Sequence, residues 1–370
     1  MFSHTFLSEL KLNNFRNYTS KNFEFNSKIT AIYGSNGIGK TNVLEAISLL
    51  GKGHGLKNAE FEEMISNVSA QKNFTLYSKI QNHPHIEDIG TSYVKDENKR
   101  IFQINHKLLS SNSRYKYFPS IIWLVPGMDN LFCSSKTLRR KFLDKIVSDI
   151  DPAHSTRLNS YNHSLKERLN LLSRFSNSDK WLDIIEREIA ELASAIASAR
   201  NLVVDDLNKA ILQGSENFTK AKIKIIGDAE AISASNKAIE VEEKFMKNLY
   251  ANRGLDLKTG RTMFGVHRSD ITAILLDKEI EAKFCSTGEQ KSILIALTFA
   301  RVRMFSLLNL PSPILLLDEI VSHLDDEKRN NLLREITTLN CQSFLTATSK
   351  TFFDPLFHFD QKDVTFLELN

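Results

Sequence analysis

The sequence predicts an α/β fold split by a helical second lobe, and three observations predict it. A glycine-rich loop, GSNGIGKT at Gly34–Thr41, lies between a β-branched run and an apolar-faced helix. From Met128 through Gln213 glycine is absent and Pro152 is the only proline, so that stretch reads as continuous helix. Beyond it, strand-like and helix-like runs alternate again. The expected organisation is a discontinuous α/β domain, 1–130 plus 215–370, interrupted by a helical lobe at 131–214.

Taken in order, Phe6–Leu12 and Phe23–Phe25 are short β-like runs, and ITAIY at Ile29–Tyr33 ends directly at Gly34. After Lys40 and Thr41, NVLEAISLL places apolar residues at helical spacing. FTLYSKI, RIFQI and SIIWLV are further strand candidates, closed by the turn at Pro126 and Gly127. Leu182, Ile185, Ile189, Leu192, Ile196, Ala199, Val203 and Leu207 step by three or four, the mark of a long amphipathic helix. The last third supplies ITAILL, IEAKF, a helix over 292–309, PILLLDE, a helix from about Asp326, and SFLTAT.

With 370 residues, 42% hydrophobic and 25% charged, the chain describes a protein of two or three lobes with a sizeable core. A net charge of +4 permits nucleic-acid binding without requiring it. Cys133, Cys285 and Cys341 lack metal-ligand spacing and read as free thiols. No signal-peptide pattern and no membrane-spanning apolar run are evident, so a cytoplasmic protein is expected.

The loop Gly34, Ser35, Asn36, Gly37, Ile38, Gly39, Lys40, Thr41 matches G-x-x-x-x-G-K-[ST]. Its glycines let successive backbone N–H groups close on phosphates. Lys40 supplies a point charge between the β- and γ-phosphates, and Thr41 supplies a hard oxygen for Mg²⁺. ATP with Mg²⁺ is the expected cofactor. The run ILLLDE ends in Asp318, suited to supporting Mg²⁺ largely through water, and Glu319, suited to polarising an attacking water.

CSTGEQ places Ser286, Gly288, Glu289 and Gln290 at the start of a long helix, upstream of that acidic strand end. Taken alone this is equally an N-capped surface helix. In this order it resembles the signature motif of ABC-type ATPases. The resemblance implies that Ser286, Gly288 and the helix N-terminus cap a γ-phosphate held by a second protomer, so that the ATP site is completed in trans. Ser322, His323, Leu324 and Asp325 stand where such ATPases carry the D-loop.

Five stretches narrow the resemblance: LNNFRNY (Leu12–Tyr18), GSNGIGKTNVLEAI (Gly34–Ile47), LRRKFLDKIV (Leu138–Val147), GVHRSDI (Gly265–Ile271) and LLLDEIVSHLD (Leu315–Asp325). Together, and spread over nearly the whole chain, they resemble the RecF family of bacterial DNA replication and repair proteins. The resemblance implies an ABC-type, SMC/Rad50-head-like P-loop ATPase split by a helical lobe. It also implies ATP-driven homodimerisation on single- and double-stranded DNA at gaps and junctions, with RecR and RecO, so that RecA is loaded and the SOS response supported. A weak DNA-dependent ATPase acting as a switch is the matching enzymology. The sequence departs from the family pattern at Val266, where proline is common. It departs again in WLVPGMDNLF, where Asp129 is one substitute for the usual acid, and no Q-loop residue is assigned.

Residues 136–180 hold ten Lys/Arg against five Asp/Glu, a balance that suits either backbone phosphates or a solvated helix face. Lys136, Arg139, Arg140 and Lys141 are the DNA-contact candidates. His267 and Arg268 read either as a polar site near the nucleotide or lobe junction, or as a structural Arg pairing a buried acid. Rival readings are the ATP-binding subunit of another ABC or SMC-type assembly, including a transporter, and a P-loop kinase or motor. The long interval between Lys40 and Ser286 weighs against the transporter, and the signature loop against the kinase.

Overall fold

The computed structural model describes residues 5–51, 53–67, 71–82, 85–109, 118–174, 180–216, 218–360 and 362–370. The chain divides into two units, one formed by Met1–Asp129, Gln213–Thr219 and Leu294–Asn370, the other by Asn130–Leu212 and Lys220–Ile293.

The first unit is built on two sheets. Strands β1 (Thr5–Phe15), β2 (Tyr18–Glu24), β4 (Asn73–Asn82), β5 (His85–Val94), β6 (Lys99–Ile104) and β7 (Lys107–Leu108) form an antiparallel sheet in the order β2-β1-β4-β5-β6-β7. The other sheet joins β3 (Ile29–Tyr33), β8 (Ile121–Leu124), β12 (Ile314–Leu317), β13 (Gln342–Ala347) and β14 (Val364–Glu368) in the order β14-β3-β13-β12-β8, every pair parallel. All four residues of β12 and all six of β13 are buried. Continuous apolar runs such as ILLL are what a parallel sheet covered on both faces requires. Leu10, Phe15 and Phe74 from the antiparallel sheet share one core with Ile32, Leu316 and Phe344 from the parallel one. The buried Gln342 side chain ties the sheets, accepting from Leu7 N at 2.7 Å and donating to Leu7 O at 2.9 Å. Helix α1 (Lys40–Ser48) follows the phosphate loop, and α8 (Asp326–Thr338) follows β12.

The second unit contains α2 (Lys136–Ile150), α3 (His154–Arg174), α4 (Lys180–Leu212), α5 (Asp228–Ser235) and α6 (Ala238–Thr259). It also contains a three-stranded antiparallel sheet ordered β11-β10-β9, from β9 (Ala221–Ile226), β10 (Asp270–Leu275) and β11 (Ile280–Glu281). The expected helical span 131–214 covers α2, α3 and α4, while the unit also takes in 220–293. Helix α7 (Thr287–Leu307) begins in this unit and ends in the first. On α4, Leu182, Ile185, Ile189, Ile196, Val203 and Leu207 are buried, as the periodicity predicts.

Two expectations are corrected. IEAKF is not one strand: pairing stops at Glu281, and Ala282–Phe284 turns as a 3₁₀ segment. The basic face of 136–180 is smaller than the charge count, because Arg168 is 0% exposed. Its guanidinium is held by Glu186 at 2.8 Å and Asp256 at 2.6 Å. Asp179, part of that count, lies outside the described residues. Among the described residues no helix is long and apolar enough to cross a membrane.

Candidate nucleotide site and signature loop

Strand β3 delivers the phosphate loop at the C-terminal edge of the parallel sheet, where open α/β sheets place ligands. Gly34, Gly37 and Gly39 have φ of 154°, 83° and 115°, conformations that a side chain strains. Gly34 and Gly39 also lack space: an added Cβ would meet Leu369 O at 2.5 Å and the Asn17 amide at 2.6 Å. At Gly37 nothing lies within 4 Å, so the loop backbone is open there to an incoming group. A cavity of about 210 Å³ is lined by Gly37, Gly39, Lys40, Thr41, Lys57 and Glu319.

Lys40 is 3% exposed. Its ammonium donates to the carbonyls of Gly34 at 2.9 Å and Ser35 at 3.0 Å, and stands 3.6 Å from Glu319 Oε1. The Thr41 hydroxyl donates to the Asp318 carboxylate, 3.0 Å from both oxygens. Burial, with Glu319 alongside, raises the Asp318 pKa, while hydrogen bonds from Thr346 and Thr41 oppose the rise. A divalent cation beside this carboxylate would favour its charged form. Among the described residues no cluster of three His, Cys, Asp or Glu could hold a metal by itself. One carboxylate and one hydroxyl at a phosphate loop is the donor set expected for Mg²⁺, which is completed by phosphate and water. The residues therefore fit Mg²⁺ with a nucleoside triphosphate.

Sequence reasoning missed Thr346. Its hydroxyl donates to Asp318 Oδ1 at 2.8 Å and accepts from the Glu319 N–H at 2.8 Å. Glu319 has φ of 51°, a left-handed conformation unusual for a residue with a side chain. Such a residue costs on the order of 1–2 kcal/mol, and the Thr346 contact helps hold it. Thr346 sits there because β13 pairs in parallel with β12, with Leu317 opposite Leu345. No local sequence signal marks it.

LNNFRNY acquires a physical role beside the loop. Asn17 Nδ2 donates to Ile38 O at 2.8 Å, and the Tyr18 hydroxyl donates to Gly39 O at 3.2 Å. Arg16 clamps the buried Glu45 of α1 through two hydrogen bonds, at 2.8 and 2.5 Å. Lys57, a second cation lining the cavity, bonds Asn42 at 3.1 Å and was not anticipated.

The signature loop lies in the second unit. Ser286 and Glu289 form a reciprocal cap. Glu289 Oε2 accepts from Ser286 N and Oγ, both at 2.8 Å, and Ser286 Oγ accepts from Glu289 N at 3.3 Å. Lys278 and these bonds draw the Glu289 pKa down to about 2. Ser286 is exposed, but Gln290 is buried, donating to Cys285 O at 3.0 Å. The Gln290 amide is thus used within its own unit. In the segment expected to be a D-loop, Asp325 caps α8 by accepting from Lys328 N at 2.8 Å. The Ser322 hydroxyl is buried with no hydrogen-bond partner among the described residues. Leu324 is half-buried, and the side chain of His323 lies outside the described residues. Asp129 ends the 3₁₀ turn Pro126–Met128 that follows β8.

The DNA candidates separate. Arg139 makes a bidentate pair with Asp270, at 2.8 and 2.7 Å, so its guanidinium is committed inside the unit and its expected DNA-facing role is corrected. Arg140 is half-buried and donates to Ser269 O at 2.8 Å, while Lys136 and Lys141 are exposed.

His267 is held by hydrogen bonds inside the second unit, and the expected pairing of Arg268 with a buried acid is not seen among the described residues. Its Nε2 lies 2.9 Å from Thr262 O, which can only accept, so Nε2 carries the proton and Nδ1 accepts from the Tyr161 hydroxyl at 2.7 Å. Burial, reinforced by Arg268 and Arg140, lowers its pKa. Protons then bind more readily to the unfolded imidazole than to the folded one. This contribution to stability is present above the unfolded pKa, near 6.5. It is lost as pH falls through the lowered folded value. Thermal melts from pH 8 to pH 5 should show a steeper acid-side loss of Tm in the wild type than in His267→Gln. Parallel curves would show that another group controls the loss.

The model of the RecF/RecN/SMC N terminal domain matches residues 6–119. A DNA replication and repair protein RecF of Mesorhizobium japonicum is 37% identical over 360 residues, covering 96% of this chain and 95% of the relative. The chain belongs to the RecF family. A solved structure of the recombination mediator protein RecF with ATP, in the RecFOR pathway, superposes with a TM-score of 0.80 at 25% identity, covering 95% of each chain. An Smc head domain from Pyrococcus furiosus, solved with the C-terminal domain of ScpA, gives a TM-score of 0.54 at 18% identity, covering 95% of this chain and 92% of that one. The RecF fold here is thus an SMC-head-type ATPase fold in a family of DNA replication and repair proteins.

Proposed function

We propose that this RecF-family chain is an ATP-gated DNA clamp of the RecFOR recombination pathway. ATP binding joins two protomers on DNA at gaps and single-strand/double-strand junctions. With RecR and RecO the clamp promotes RecA loading and so supports the SOS response, and hydrolysis opens it. The observation that carries this reading is the arrangement of Lys40, Thr41, Asp318, Glu319 and Thr346 at one sheet edge. The solved relative with ATP supports the same ligand.

The loop from Gly34 to Thr41 wraps phosphates with backbone N–H groups, and Lys40 turns its ammonium to the β- and γ-phosphates. Thr41 and Asp318 would hold Mg²⁺, which when bound would neutralise phosphate charge. Glu319 takes a proton from the attacking water, and Thr346 positions both acids. On the opposing protomer, exposed Ser286 and half-buried Gly288 present the start of α7 to the γ-phosphate, as helix N-termini do with anions. Ser286 would exchange its cap to Glu289 for that contact. Lys136 and Lys141 contribute exposed positive charge to DNA.

Anisotropy of a labelled gapped duplex tests the reading. Mg-ATP should tighten wild-type binding about tenfold or more, roughly the coupling typical of a two-state switch. Ser286→Arg should abolish the gain while leaving ATP binding intact. Equal DNA affinity with and without ATP in the wild type would overturn the switch.

A further inference from the structure

The second unit contains a cleft of about 450 Å³ unrelated to the phosphate loop, lined by Lys166, Arg261 and Arg268 with Leu165, Leu169 and Asn162 among its walls. Lys166, Arg261 and Arg268 are exposed. None of them has a side-chain hydrogen bond or ion pair among the described residues. That sets them apart from Arg139, Arg168, Arg200 and Arg253 of the same unit, each held by carboxylates. The described lining includes no carboxylate and no Phe, Tyr or Trp.

The loop presenting two of these cations is locked in place. Gly260, with φ of 64°, ends α6, and Asp256 accepts from Met263 N at 2.8 Å. Arg168 donates to Thr262 Oγ1 at 3.2 Å. His267 bridges Thr262 O to the Tyr161 hydroxyl of α3. Gly265 is obligatory: its φ is 137°, and a Cβ would lie 2.2 Å from that hydroxyl. A loop this firmly held presents Arg261 and Arg268 beside Lys166 of α3 at little ordering cost. The depressed His267 pKa, caused first by burial and then by Arg268 and Arg140, is consistent with net positive potential here.

We propose that this cleft seats the phosphodiester backbone of duplex DNA, with Lys166, Arg261 and Arg268 each neutralising a phosphate. The proposal rests on the DNA-acting reading above and adds a second contact region to it. The lining offers no Phe, Tyr or Trp on which single-stranded bases would stack, and three cations against one amide, Asn162, favour phosphate contact over base reading.

The test titrates full-length protein with a blunt duplex over a range of salt concentrations. It compares wild type with the triple variant Lys166→Gln, Arg261→Gln, Arg268→Gln. Loss of three phosphate contacts should flatten the slope of log K against log salt by about 2–3, near 0.9 per contact. Unchanged melting and unchanged ATP-driven dimerisation without DNA would show the fold intact. Arg268→Lys should retain the wild-type slope, because charge alone is needed. An unchanged slope in the triple variant, with wild-type DNA binding normal, overturns the seat and leaves the clamp standing. Polyglutamate is titrated in parallel, and its loss of binding in the triple variant with the DNA slope unchanged overturns the seat in favour of an acidic protein segment. Failure of the wild type to bind the blunt duplex while it binds the gapped one overturns the seat alone, and failure to bind either overturns both readings.

Discussion

Glu319→Gln should reduce ATP turnover by about 10²–10⁴-fold, the contribution typical of a positioned general base, while leaving nucleotide affinity within a few-fold. The amide is isosteric, and Thr346 still accepts the backbone N–H of residue 319 at 2.8 Å, so the left-handed turn persists. Only proton uptake is lost. Affinity is spared because Glu319 makes no hydrogen bond to the loop and approaches Lys40 only to 3.6 Å. If hydrolysis opens the clamp, the ATP-bound dimer and its DNA complex should persist in proportion to the lost turnover. Single-turnover hydrolysis with nucleotide titration separates the two effects. Turnover within threefold of wild type would remove Glu319 from the base role. Slow turnover with an unchanged dimer lifetime would break the link between hydrolysis and release.

Arg200→Ala should destabilise the second unit by about 3–5 kcal/mol, the usual cost of breaking a buried ion pair from one side. Arg200 is 1% exposed and lies between two acids. Its guanidinium donates to both Asp144 oxygens at 2.8 and 2.9 Å, to Glu230 at 2.7 Å, and to the Val266 carbonyl at 2.8 Å. Removing it leaves buried Glu230 and half-buried Asp144 with reduced compensation, and frees the start of the 3₁₀ turn that carries His267 and Arg268. Arg200→Met combined with Asp144→Asn and Glu230→Gln should recover most of the loss, since the penalty is uncompensated charge and not missing volume. Denaturant melts measure both. A loss near 1 kcal/mol for the single variant would mean that water reaches the site and solvates the acids.

These networks also mark where sequence reading ran out. In α6, Val241, Phe245 and Leu249 follow a four-residue step, but the buried face continues as Arg253 and Asp256. A hydrophobic pattern cannot register a helix whose interior becomes ionic halfway along. Arg168, Arg200 and Arg253 read as surface charge in one dimension, and only the acids brought to them by α2, α4, α5 and α6 make them core. The same limit separated Arg139 from Lys136 and Lys141: adjacent charges look alike until Asp270 of β10 appears beside one of them.

What the sequence determined by itself was local chemistry. The phosphate loop, the acidic end of β12 and the Ser-x-x-Glu start of α7 are encoded by contiguous residues, because each depends on backbone conformation within one turn and a few side chains. The α/β class and the long α4 were equally legible, since period and length carry them. The tertiary structure alone decided what parallel strand pairing and loop docking bring together. Thr346 meets Asp318 and Glu319 because β13 lies between β3 and β12. Asn17 and Tyr18 meet the phosphate loop from the turn between β1 and β2. Lys166 of α3 lines one cleft with Arg261, just past α6, and Arg268 of the 3₁₀ turn. Such contacts cost chain entropy that only a completed fold repays, and no short-range pattern announces them.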